Sequence, residues 1–90
     1  MKPVIKPSDS ASSHRTGSLI HVDRKLITKL LGFAPNVEDD PDKVTASWAF
    51  TVDGVECAVW DYKGSFKYKR ASTFGPIEAL EKVFGRHVAA

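Results

Sequence analysis

The sequence predicts an α+β fold, a two-layer sandwich running helix, three-stranded antiparallel meander, helix, with both helices on one sheet face. Three observations carry this. Val44, Ala46, Trp48, Phe50 and Val52 alternate with Thr45, Ser47, Ala49 and Thr51, the period of a strand with one buried face. A second alternating run, Val55 to Tyr62, follows directly on Asp53-Gly54, two residues that tolerate the positive φ of a type I′ hairpin turn. Flanking segments at 24–31 and 76–84 space their apolar residues as helices do, and each ends at a glycine.

Taken in order, residues 1–18 are rich in serine, contain Pro3, Pro7 and Gly17, and offer few apolar side chains. Such a stretch does not offset the entropy of its own ordering, so it reads as a flexible polar tail before a single domain at 19–90. The functional alternative is a flexible basic arm carrying Lys2, Lys6, His14 and Arg15. Leu19, Ile20 and Val22 form an extended lead-in. Asp23 is a suitable N-cap for a helix over 24–31. Leu26, Ile27, Leu30 and Leu31 make its apolar stripe, Arg24, Lys25, Thr28 and Lys29 face water, and Gly32 stops it.

Residues 33–42 are a loop interrupted by Pro35 and Pro41. Glu38, Asp39, Asp40 and Asp42 read as a solvated acidic stretch, because the ligand spacing of a calcium loop is missing and Pro41 stiffens the backbone. The Asp53-Gly54 turn then sets the hairpin register: Val52 opposite Val55, Phe50 opposite Cys57, Trp48 opposite Val59, Ala46 opposite Asp61. Face one, with Val44, Ala46, Trp48, Phe50, Val52, Val55, Cys57 and Val59, is the core face. Face two carries Thr45, Ser47, Ala49, Thr51, Glu56, Ala58, Trp60 and Tyr62. After a turn at Lys63-Gly64-Ser65, residues 66–73 alternate as a third strand. Pro76 opens the last helix at N1, whose stripe is Ile77, Leu80, Val83 and Phe84.

At 90 residues the chain is one small domain, for which a partner or a homodimer contact would add buried surface. Net charge is +2, which makes no whole-chain case for nucleic-acid binding or for an acidic DNA mimic. Cys57 is the single cysteine and is expected in the core, which suits a reducing cytoplasm. No apolar run approaches the roughly 18 residues of a membrane span, and the N-terminus has no hydrophobic region of a secretory signal. No histidine stands at recognisable spacing to a nucleophile, and there is no zinc knuckle and no Gly-rich phosphate loop. The expectation is a non-enzymatic protein without cofactor or metal.

Two features suggest binding. Trp60 and Tyr62 stand on face two beside small residues, as an aromatic anchor or as flat cross-strand packing. The segment KGSFKYKR interleaves Lys63, Lys67, Lys69 and Arg70 with Phe66 and Tyr68, which suits phosphate contacts beside stacking platforms. It also suits an edge strand guarded by lysines. The expected partner site is Trp60, Tyr62, Lys63, Lys67, Tyr68, Lys69 and Arg70. A protein partner is favoured, and nucleic acid is the alternative.

The helix–three strands–helix order resembles double-stranded RNA-binding domains across 19–88. Where those domains place lysines at the start of the last helix, this chain has Phe74, Gly75, Pro76, Ile77 and Glu78. SWAFTVDGVECAVWDYKGS followed by STFGP resembles small accessory proteins of tailed bacteriophages. That resemblance implies a protein of the bacterial cytoplasm that binds and blocks a host or defence component such as a CRISPR nuclease.

Overall fold

Asp53 and Gly54 adopt φ of 51° and 84°, the left-handed pair of a type I′ turn, and the hairpin closes there. The structure, a computed structural model, describes residues 3–8, 15–36, 44–62 and 65–89. Its elements in chain order are β1 (Ile5–Pro7), β2 (Gly17–Ile20), α1 (Arg24–Leu31), β3 (Val44–Val52) and β4 (Val55–Tyr62). A 3₁₀ turn (Ser65–Tyr68), β5 (Arg70–Phe74), α2 (Ile77–Phe84), a second 3₁₀ turn (Gly85–His87) and β6 (Val88–Ala89) complete it. The strands form one antiparallel sheet in the order β1-β3-β4-β5-β2-β6.

The fold is therefore a six-stranded antiparallel sheet with two short helices, and this corrects the expected helix–three-stranded meander–helix sandwich. The extra strands come from segments with little local signal. β1 and the first half of β2 lie within residues 1–18, and β6 follows the last helix. They have 3, 4 and 2 residues, and they are held by backbone pairing to longer strands. Pro7 is tolerated because β1 is an edge strand, where a missing N–H leaves no inner ladder incomplete.

The expected hairpin register holds from Val52/Val55 through Trp48/Val59 to Ser47/Trp60. Beyond it Val44, not Thr45, faces Tyr62, because a bulge on β3 inserts one extra residue. Across β5 the parity continues, with Val59 facing Thr73 and Trp60 facing Ser72. Face one thus unites Leu19, Ala71, Trp48, Phe50, Val52, Cys57 and Val59 with Ile27 and Leu31 of α1 and Ala79, Leu80 and Phe84 of α2. The Phe50 and Phe84 rings meet edge-on, 6.3 Å between centroids. Full burial of a side chain such as Phe50 or Leu19 stabilises by about 1.5–3 kcal/mol.

The helices are capped much as their sequences require. Asp23 accepts from the Leu26 amide at 2.8 Å, and Gly32, at φ 89°, donates to Thr28 O. In α2, Pro76 is the N-cap rather than the first helical residue. Ala79 replaces Ile77 on the buried stripe, leaving Ile77 46% exposed.

Asn36 secures the sheet where β1 ends. Its side-chain amide donates to Ala49 O and Ser8 O, both at 3.0 Å, while its Oδ1 accepts from the Ala49 amide at 2.9 Å. One side chain thereby bonds both backbone groups of Ala49, as a neighbouring strand would.

Candidate nucleic-acid interface

Face two is not the open surface that the sequence suggested. Trp60 is only 8% exposed, and around it Ala49, Ala58, Ser47 and Ser72 are buried too. β4 is a central strand, so Trp60 has Ser47 as its neighbour on one side and Ser72 on the other. Small residues on both sides leave room for the indole to lie against the sheet. The centre of the expected interface is therefore removed. Tyr62 closes β4 opposite Val44. Lys63 lies outside the described residues, as do Lys2, His14 and the acidic stretch from Glu38 to Asp42.

The basic residues take a different form from the third strand expected over 66–73. Residues 65–68 make a 3₁₀ turn, Lys69 adopts φ 59°, and β5 begins only at Arg70. On a strand, Phe66 and Tyr68 would share a face. In a 3₁₀ turn, with three residues per revolution, they point apart. Phe66 accordingly packs on Trp48, ring centroids 6.2 Å apart, and Tyr68 is 77% exposed. The Lys69 amide donates to Phe66 O at 3.0 Å and closes the turn.

Tertiary pairing brings distant cations to this turn. Ile20 pairs with Arg70, and the Val22 amide donates to Lys69 O at 3.0 Å. The Lys69 ammonium lies 3.4 Å from Asp23 Oδ2. The Leu26 amide bond, followed by Lys69, holds the Asp23 carboxyl below its ordinary value, so it stays ionised at the start of α1. Arg24 and Lys25 follow Asp23 directly in the chain and are exposed, as are Lys67, Lys69 and Arg70. Across β2, His87 Nδ1 donates to Ile20 O at 3.1 Å, and this places exposed Arg86 at the same end of the sheet. Strand spacing puts β6 about 10 Å from β5.

The β2–β5 pairing and the Lys69–Asp23 contact thus bring the start of α1, with Arg24 and Lys25, to the segment that carries Lys67, Tyr68, Lys69 and Arg70. Sequence reading found Lys67, Tyr68, Lys69 and Arg70 but treated Arg24 and Lys25 only as the wet face of a helix. The signal that could have joined them is the pairing of β2 with β5, which Leu19 and Ile20 hint at as an extended lead-in.

Elsewhere the chemistry is quiet. Cys57 is 2% exposed, and burial pushes its thiol up to about 11. Among the described residues no three His, Cys, Asp or Glu side chains converge as a metal site requires, and no helix is long and apolar enough to cross a membrane. No protein-family model, curated protein or solved structure matches the chain.

Proposed function

We propose that the chain is a non-enzymatic module that binds nucleic acid through its basic corner, with Lys67, Lys69, Arg70, Arg24 and Lys25 contacting phosphates. The observation that carries this reading is the assembly of those cations by the β2–β5 pairing, at an end of the sheet where Tyr68 is exposed. Phosphate contacts release condensed counterions, so affinity should fall with salt by a slope of about −0.7 to −0.9 per contact. The test is fluorescence anisotropy of labelled mixed-sequence DNA and RNA over a salt series. Five contacts give a slope of about −4, and Lys67→Glu combined with Arg70→Glu abolishes binding. An affinity indifferent to salt, or unchanged in the double variant, refutes it.

A second reading has one observation in its favour: the partner Lys69 already holds is a carboxylate, that of Asp23. An acidic protein surface could occupy the same corner, and the phage resemblance points to a host or defence protein of the bacterial cytoplasm. Binding of that kind responds to salt more modestly, chiefly through the association rate.

A further inference from the structure

We infer that the corner recognises single-stranded nucleic acid, with one unpaired base stacked on the Tyr68 ring; this rests on the nucleic-acid reading above. Among the described residues Tyr68 is the most exposed of the large apolar side chains, at 77%, against 56% for Val4, 46% for Ile77 and 40% for Val55. An exposed ring on a loose loop would lose rotational freedom on binding, but this one sits on a fastened turn. Phe66 anchors one end on Trp48. Lys69 holds the other, its amide bonded to Phe66 O and its carbonyl to the Val22 amide. The backbone that carries the ring is organised before any ligand arrives, so docking need not order the turn as well.

The flanking charges make the ring a nucleobase platform rather than a general apolar contact. Lys67 precedes Tyr68, Lys69 and Arg70 follow it, and all three are exposed. A base stacked on the ring brings its own 5′ and 3′ phosphates to either side, within reach of these cations. Every base has a π-face, so the contact is tolerant of sequence. In a duplex those faces are already occupied by neighbouring base pairs, so only an unpaired base is free to stack. Backbone charge alone does not discriminate in this way; Tyr68 supplies the discrimination.

The experiment uses the full chain and a labelled mixed-sequence DNA 12-mer, as a single strand and as its duplex, at low salt. The expected result is tighter binding of the single strand. Tyr68→Ala should lower single-strand affinity about tenfold and leave duplex affinity unchanged, within the range of base–aromatic stacking. Tyr68→Phe, which keeps the ring, should retain the preference. A single strand carrying 2-aminopurine should lose fluorescence on the wild-type chain and not on Tyr68→Ala. Equal binding of both forms, or a Tyr68→Ala variant that keeps the single-strand preference, overturns the inference while salt-sensitive binding leaves the nucleic-acid reading standing. Failure to bind either form overturns both.

Discussion

Thr73 is 1% exposed, and its Oγ1 is a buried polar atom with no hydrogen-bond partner. A hydroxyl left unsatisfied in a core costs about 1–3 kcal/mol of desolvation. The side chain shares face one with Val59 and stands opposite Gly17. Thr73→Val keeps the branched shape and removes the stranded oxygen, so it should raise stability by about 1 kcal/mol. Thermal or urea denaturation measures this, and a lowered midpoint would show that the hydroxyl has a role in the fold. Asp53 presents the opposite case, a polar group with several partners. Its Oδ1 accepts from the Val4 amide at 2.8 Å and its Oδ2 lies 3.3 Å from Lys82 Nζ. The Val4 bond first, and Lys82 second, hold its carboxyl below the ordinary 3.8. Because the folded value is the lower one, the unfolded chain takes up protons first as pH falls. The stabilisation is complete above the unfolded value and declines as pH drops through the folded one. Asp23 behaves alike, its carboxyl lowered chiefly by the Leu26 amide. Unfolding midpoints should thus fall on acidification below about pH 4. Asp53→Asn, which still tolerates the left-handed turn, should make that decline shallower.

Gly75 governs how one element meets another. It joins β5 to α2 at φ 125°, and a Cβ there would stand 2.8 Å from Cys57 Sγ and 3.2 Å from Glu56 O. The backbone therefore passes directly over β4, which only a residue without a side chain permits. Thr16 fastens the same crossing: the Gly75 amide donates to Thr16 Oγ1 at 3.1 Å, and the Thr16 amide donates to Thr73 O at 2.8 Å. Gly75→Ala combines a strained φ with a clash against fixed backbone, so it should cost about 2 kcal/mol or more, read as a shifted urea midpoint. The displaced strand should also uncover Cys57, whose thiol should otherwise resist a thiol reagent until the chain unfolds.

For the molecule as a whole, the open question in any antiparallel sheet is what happens at its edges. One edge is β1, three residues that include Lys6 and Pro7; the other is β6, only two residues long. Short strands and a proline offer little ladder to another chain. Removing residues 1–8 would strip β1 from Phe50, Thr51 and Val52 and free Asp53 from Val4. That truncated chain should be less stable and should self-associate, which size-exclusion chromatography at several concentrations detects. A truncated chain that stays monomeric would show that β1 does not guard the edge.

The parts of the fold that could be read from the chain alone are those held by local forces. Alternation and Asp53-Gly54 were enough to place β3, β4, their turn and their register as far as Ser47 and Trp60, because a type I′ turn and a period of two leave one arrangement. Asp23 and Gly32 bounded α1 for the same reason, each acting on amides and carbonyls a few residues away. The bulge beside Val44, the strands β1 and β6, and the split of residues 66–73 into a 3₁₀ turn and β5 were decided by tertiary contacts. Short edge strands gain their hydrogen bonds from a partner far along the chain, so their own residues carry almost no signal. Phe66 turns inward because Trp48 is there to receive it, and that rotation exposes Tyr68. The candidate site followed the same division. The run from Lys67 to Arg70 was legible as a charged string, whereas its junction with Arg24 and Lys25 was not, and alternation alone left Trp60 with two readings, packing or contact. The junction and the packing of Trp60 both depend on β5, which lies between β4 and β2 and so covers one flank of Trp60 while carrying Arg70 to Ile20.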